Sequence, residues 1–410
     1  MTAIQLETEL RRHLAKLQGK RSRFTIGVEH EFFLLNSEGK PVSHAEGQAF
    51  LAALAKVPQW YIREELNESG EKLIWRVSKD THDGRFTAVK YDHHPHLFEI
   101  AFGYENNLHA LFSEVLAVLQ TVRETATYLG LRIGASSNIE LDPMDPQIVS
   151  PLSYFKDLRY YRSILLQKRF GAQVPSSQNY AATIAATQFH VGATEWWNRE
   201  SYVEKLYCLE PILLDFVTSL SSITSPTTFF RKRWQGYREV FQGFPLVGYP
   251  TLPNWDITQW SSALISSPLA GGPNDLWAGN CLKDLTRSPF NGSTDFLGAV
   301  RDLQLIRPKL YGTLEFRADP SLGSAQHIVA MAALRLGLCE AIASEAFRPS
   351  LSFMDAHDLW WKKVTSNYAR ASVSMYTEVI SLAKRGLALR KYDEAHHLAA
   401  FDDLLKREAA

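Results

Sequence analysis

Phe24-Thr25-Ile26-Gly27-Val28-Glu29-His30-Glu31-Phe32 is the stretch from which the fold of this 410-residue chain is read. An extended strand over 24–35 puts Ile26, Val28, His30 and Phe32 on one face, and Glu29 and Glu31 on the other. Two carboxylates side by side repel each other unless a cation lies between them. The pair is therefore either a solvated outer face or part of a divalent-metal site. Outward from this strand, a turn at 36–41 leads to the capping box Ser43-His44-Ala45-Glu46, which predicts a helix through Lys56. Segments 71–78 and 85–91 predict a hairpin about Asp80-Thr81-His82-Asp83-Gly84, with 96–102 as the next strand, so antiparallel pairing is expected. A long amphipathic stretch at 105–129, a short strand at 132–136, a helix at 152–170 and a strand at 184–191 follow. Segment 224–289, rich in Pro, Gly, Ser and Trp, predicts loops with short helices. Two strands, 301–306 and 311–317, turn about Pro308-Lys309, and from Gln326 onward strand signals nearly vanish. The chain reads as α+β with a helical C-terminal part.

Composition narrows the function. Forty-four Lys plus Arg balance forty-four Asp plus Glu, which excludes a strongly basic nucleic-acid binder. An apolar content of 45% with 21% charged residues lies far from the disordered regime. A chain of this length buries roughly 75% of the surface its unfolded form exposes. Cys208, Cys281 and Cys339 form no C-x-x-C arrangement, so neither a disulfide framework nor a thiolate metal site is expected, and the compartment is expected to be reducing. No apolar stretch is read as reaching the eighteen or so residues of a membrane span. Ile4, Leu6, Leu10, Leu14 and Leu17 recur at near-helical spacing among acids and bases, which predicts a surface helix of a soluble cytoplasmic protein.

Three further segments carry candidate chemistry. In Asp92-His93-His94-Pro95-His96-Leu97-Phe98-Glu99, Pro95 interrupts the extended chain, so Asp92 and Glu99 can approach one site despite their spacing. The histidines lack the i, i+4 helical spacing of a zinc pair and read as polar loop residues, whereas Glu99 stands among apolar neighbours and needs a partner. In Ala186-Thr187-Gln188-Phe189-His190-Val191-Gly192, Gln188 and His190 share a face, with Gly192 expected to leave room for a ligand. A lone strand histidine is otherwise a hydrogen-bonded core residue. Tyr311-Gly312-Thr313-Leu314-Glu315-Phe316-Arg317-Ala318-Asp319 places Thr313, Glu315, Arg317 and Asp319 together by alternation. That group is either a structural ion-pair network or a site in which Glu315 binds metal and the Arg317 fork grips a phosphate.

Taken in order, these segments resemble glutamate-cysteine ligase family 2, carboxylate-amine ligases of the glutamine synthetase-like superfamily. Gly27-Val28-Glu29-His30-Glu31 is similar to the family's G-V-E-x-E strand, Asp92 to Glu99 to its D-x6-E stretch, Phe189-His190-Val191-Gly192 to its H-V-H-V-G strand, and Leu314 to Asp319 to its E-x-R-x-x-D segment. Arg159-Tyr160 resembles an R-Y pair that precedes the histidine strand. Gln188 departs from the pattern by standing at the first histidine of H-V-H-V-G, and Asp319 follows Arg317 after one residue instead of two. The resemblance implies a single glutamine synthetase-like catalytic domain over 1–410, with 324–410 as its helical C-terminal part. Its curved, mostly antiparallel sheet would carry helices on the convex face.

The resemblance also implies Glu29, Glu31, Asp92, Glu99, His190 and Glu315 as ligands to Mg²⁺, or Mn²⁺ in its place. Glu29 and Arg317 would be catalytic, and Arg317, Arg159 and Tyr160 would hold ATP. The implied reaction joins a carboxylate, glutamate in the best-known case, to an amine such as cysteine through an acyl phosphate. Acceptor recognition would fall to the Trp-rich middle segment with Trp234, Trp255, Trp260 and Trp277. No Walker-type loop occurs, so nucleotide binding would rest on metals and arginines. The partners are small molecules, with no nucleic acid and no membrane, and an oligomer is compatible with this reading. Two rival readings are a divalent-metal hydrolase of phosphate esters and a catalytically silent ligand-binding relative.

Overall fold

The computed structural model describes residues 3–18, 24–66, 70, 72–81, 84–92, 94–134, 136–140, 180–193, 201–220, 229–235, 238, 247–250, 256–267, 303–309, 312–344, 347–366, 370–402 and 405–406. The expected helix at 152–170, Arg159 and Tyr160 within it, and much of 224–289 lie outside these residues.

In chain order the strands are β1 (Ile26–Leu35), β2 (Trp60–Leu66), β3 (Lys72–Asp80), β4 (Phe86–Asp92), β5 (His94–Ala101), β6 (Arg132–Ile133), β7 (Ala186–Gly192), β8 (Val247–Gly248), β9 (Leu303–Gln304), β10 (Ile306–Pro308) and β11 (Thr313–Pro320). Among the described residues, nine of them form one sheet in the order β10-β11-β7-β1-β5-β4-β3-β2, with β6 beside the end of β1. Every pairing in it is antiparallel. β8 and β9 make a separate parallel pair. The hairpin of β3 and β4 is the expected one, whereas edge strand β2 was not expected. Its Tyr61, Ile62 and Leu66 are exposed and show no in-out alternation.

The longer helices are α1 (Ala3–Gln18), α2 (His44–Leu54), α3 (Leu108–Tyr128), α4 (Tyr202–Leu220), α5 (Ile257–Ser266), α6 (Ala325–Ser344), α7 (Phe353–Thr365) and α8 (Val373–Ala388), followed by a 3-10 helix, Ala395–Phe401. The C-terminal part is helical, as expected. α2 starts at the expected capping box: the Ser43 hydroxyl accepts from the Glu46 N–H, and the Glu46 carboxylate accepts from the Ser43 N–H. α2, α3, α4 and α6 pack on the sheet. Phe32 of β1 and Phe98 of β5 stack there at 5.8 Å, with Phe50 of α2 edge-on to Phe98 at 5.2 Å. Truncating Phe98 to Ala would cost about 3–5 kcal/mol.

α6 corrects one expectation from the sequence. It is long and apolar enough to cross a membrane by length and composition, yet it is buried within the protein, where it is the central core helix. Its apolar surface faces protein on all sides, which is why it lacks an amphipathic pattern. Inside it Arg335 pairs with Glu210 of α4 at 2.6 Å and with Asp319 of β11 at 2.6 Å. Of the cysteines, Cys208 and Cys339 are buried free thiols, and Cys281 lies outside the described residues.

Candidate active site

The register of β1 builds the site. Glu31 stands opposite Glu99 of β5, which stands opposite Lys90 of β4. On the other side of β1, Glu29 stands opposite Gln188 and Gly27 opposite His190, and His190 stands opposite Glu315, which stands opposite Arg307. Directly paired residues share a sheet face. Glu29, Glu31, Glu99, Gln188, His190 and Glu315 therefore lie on one face, while Ile26, Val28, His30 and Phe32 point into the core as alternation required. His30 shows the difference: its Nδ1 meets the Thr187 hydroxyl at 3.0 Å, and burial with the nearby Arg123 charge pushes the ring down to about 3. It is a neutral core histidine.

One end of this face is acidic. Glu31 accepts from the Ala186 N–H at 2.7 Å and from the Gln188 amide at 2.9 Å, yet burial and the Asp92 charge push its carboxyl up to about 8. Glu99 is 3.1 Å from the Lys90 ammonium, and burial still carries it to about 8, with Glu29, Asp92 and Glu31 adding repulsion. Asp92, at the end of β4 beside a register shift, thus acts on both carboxylates. Glu29 is half-buried, and although burial raises it, the His190 ring brings it down to about 2.

The other end is cationic. Glu315 is buried between Arg307 Nε at 2.6 Å, Arg317 Nη1 at 2.7 Å and Lys309 Nζ at 3.3 Å. Burial raises its carboxyl, but those three cations and His190 hold it well below the usual range. His190 joins the two ends, with Nε2 3.3 Å from Glu29 and 4.0 Å from Glu315. Gln188 joins them too: its carbonyl accepts from Arg317 Nη1 at 2.9 Å while its amide donates to Glu31.

The donor set fits a divalent cation. Ligand atoms of Glu29, His190 and Glu315 lie within 4.8 Å of one another, and carboxylate oxygens with one imidazole suit Mg²⁺ or Mn²⁺. Glu31 and Glu99, facing each other across β1 and β5, are two more buried carboxylates whose mutual repulsion a cation would relieve.

Several expectations change. A bulge between Phe316 and Asp319 sets Asp319 opposite Thr187, on the core face, where it pairs with Arg335. Asp319 is therefore not grouped with Glu315 and Arg317. Gly192 opens no ligand space, since a Cβ there would meet the Thr25 hydroxyl at 2.5 Å. His96 is a buried strand residue bonded to the Ala182 carbonyl at 2.9 Å. Trp234 and Trp260 are fully buried core residues, so neither presents a recognition surface, and Trp255 and Trp277 lie outside the described residues. Lys90, Arg307 and Lys309 were not singled out from the sequence. For Arg307 the signal was the alternation Ile306-Arg307-Pro308; for Lys90 it was a register between strands that no local pattern reveals.

No curated protein matches the chain in sequence. Among solved structures, a bifunctional glutathione synthetase from Pasteurella multocida aligns at 11% identity with a TM-score of 0.46, covering 96% of this chain and 48% of that one. This chain thus spans about half of that protein's length. GmaS without ligand aligns at 13% identity and a TM-score of 0.30, covering 98% and 72%. GmaS with ADP aligns at 14% and 0.30, covering 98% and 73%. At such scores none of these likenesses speaks to activity. The sequence match is the firmer finding: residues 25–191, which carry Glu29, Glu31, Asp92, Glu99 and His190 but stop short of Glu315 and Arg317, match Glutamate-cysteine ligase family 2 (GCS2), the family that the motifs resemble.

Proposed function

We propose that this chain is an ATP-dependent carboxylate-amine ligase, with glutamate as the favoured carboxylate and cysteine as the favoured amine. The observation that carries the reading is the division of one sheet face into an acidic end and a cationic end, joined by His190 and Gln188. A carboxylate attacking the γ-phosphate of ATP brings two anions together, and both ends are needed for that approach. Glu29, Glu31, Glu99, His190 and Glu315, with Asp92 close by, would hold Mg²⁺ or Mn²⁺, which supplies charge neutralisation to the phosphates. Arg307, Lys309 and Arg317 gather three positive charges about the single carboxylate of Glu315, and the Arg317 fork suits a transferring phosphoryl group. The carboxylate oxygen bonds to the γ-phosphorus as the bond to ADP breaks. The amine then attacks the acyl carbon, phosphate leaves with the carbon–oxygen electron pair, and the amine sheds a proton to give the amide. The match of 25–191 to Glutamate-cysteine ligase family 2 supports the reaction class. Arg159 and Tyr160 are assigned to ATP by the motif alone.

An ADP-release screen over pairs of amino acids and amines with Mg²⁺ and ATP tests this, with mass spectrometry of the product. ADP release that needs both co-substrates and matches amide formed supports the ligase. Phosphate release from ATP or phosphate esters without an acceptor amine would replace it with a hydrolase.

A further inference from the structure

Away from the sheet, the first turn of α3 and the C-terminal 3-10 helix bring His109, His396 and His397 together. Their ring centroids are 5.2 Å apart for His109 and His396, 5.3 Å for His109 and His397, and 4.2 Å for His396 and His397. One ring nitrogen from each lies within 4.8 Å of the others. The hydrogen bonds select which nitrogens are available. His109 Nε2 is 2.8 Å from the Tyr392 carbonyl and His396 Nδ1 is 3.0 Å from the Asp393 carbonyl. A carbonyl only accepts, so those nitrogens carry the protons, leaving the lone pairs on His109 Nδ1 and His396 Nε2. Imidazoles that bind metals are oriented in this way, by donating the other ring N–H to a backbone carbonyl. His397 Nε2 is buried with no hydrogen-bond partner among the described residues.

The backbone that presents His396 and His397 is fixed in place. Glu394 accepts from the Leu108 N–H at the start of α3 at 2.7 Å and from Arg390 Nε at 2.7 Å. Arg390 also donates to the carbonyls of Phe24 and Asn106. Lys391 and Asp393 hold positive φ values of 66° and 52°, so the segment keeps a costly turn to reach this position. Glu394, the nearest carboxylate in sequence, is thereby committed to the helix start and to Arg390.

We propose that His109, His396 and His397 form a site for a borderline transition-metal ion of the Zn²⁺ class, tying α3 to the C-terminal segment. Three neutral imidazoles with a fourth position open to water are a recognised ligand set for such an ion. Modest side-chain rotations bring nitrogens within 4.8 Å of one another to bonding distance of a common centre. An all-nitrogen set binds Mg²⁺ poorly, which sets this site apart from the carboxylate-rich sheet face.

The test uses the full chain, stripped with chelator and titrated with Zn²⁺ by calorimetry and with Co²⁺ by visible absorption, in excess Mg²⁺ to occupy the sheet face. Wild type should bind one equivalent, gain a cobalt spectrum and melt at a higher temperature with Zn²⁺. His109→Ala and His396→Ala should each weaken binding by at least about tenfold and lose the Zn²⁺ gain in melting temperature, while His190→Asn should keep both. His109 and His396 are exposed, so the variants should fold, with circular dichroism as the check. His396→Gln, which keeps the polarity, serves if the alanine variant does not fold. Zn²⁺ affinity unchanged in both alanine variants, lost only in His190→Asn, or absent from wild type would each overturn the site.

Discussion

Arg317 is held by its own strand neighbour, because Nη1 reaches both Glu315 and Gln188. A purely structural reading therefore needs testing against the phosphate role. Glu315 has Arg307 and Lys309 as well, so removing Arg317 leaves that carboxylate paired. We expect Arg317→Lys to melt close to wild type but to lose turnover by about 10²-fold or more, since lysine keeps the charge without the fork. Steady-state kinetics with varied ATP beside thermal melts decide it; near-normal turnover in the lysine variant would end the phosphate role. Glu29 offers a companion test. It is half-buried and held near 2 by His190, so it is charged at any working pH. Glu29→Gln should abolish turnover and weaken Mg²⁺ binding with an intact fold, and an active glutamine variant would return Glu29 to a solvated-face residue.

At the scale of elements, the bulge in β11 decides which chemistry each of its residues does. Alternation alone keeps Arg317 beside Glu315 on the candidate site, and the one inserted residue turns Asp319 to the core, against Arg335. Arg335 is fully buried between Asp319 and Glu210, so Arg335→Met should cost about 3–5 kcal/mol by leaving two buried carboxylates without their cation. Denaturant melts measure this, and a loss under about 1 kcal/mol would show that the carboxylates find other partners. α6 and α8 cross where Gly337 meets Gly386, and a Cβ on Gly386 would collide with the Gly337 carbonyl. Such overpacking costs typically about 1–3 kcal/mol. β1 was legible in the sequence because one face packs on helices while the other carries charge, so its alternation survives into three dimensions. The bulge was not legible, since one added residue leaves local alternation intact and appears only as a shift against β7. β2 was unreadable for the opposite reason: its exposed edge imposes no pattern. The sequence singles out the acidic residues of the face, but Lys90 owes its place to a register between neighbouring strands that shifts at Asp92, and Arg307 to a strand too short to show a pattern.

For the whole molecule, titration separates the candidate site from the core. Glu31 and Glu99, both pushed up to about 8, keep protons that the unfolded chain releases near the ordinary 4.5. The folded state then binds more protons than the unfolded one, so these groups make stability fall as pH rises through that interval. His30 and His397, pushed down to about 3 and about 4, have the opposite sign: the unfolded chain takes up protons near 6.5 that the folded chain refuses. Their contribution rises with pH through 6.5 and levels off about one unit above it. At pH 6.5 each histidine is half titrated in the unfolded chain, so from there to pH 8 the two carboxyls outweigh an opposite contribution that fades. In chelator we expect the melting temperature to fall across that window, with each proton retained by the fold costing up to about 1.4 kcal/mol per pH unit. A divalent cation competes with those protons, so Mg²⁺ should raise the melting temperature more at pH 8 than at pH 6.5 and flatten the fall. Glu31→Gln combined with Glu99→Gln should remove the fall and the growth of the Mg²⁺ gain with pH, because neither amide titrates, while Glu29, His190 and Glu315 remain to bind the cation. A melting temperature that stays level in chelator, or a Mg²⁺ gain that does not grow with pH, would take the divalent cation away from this face.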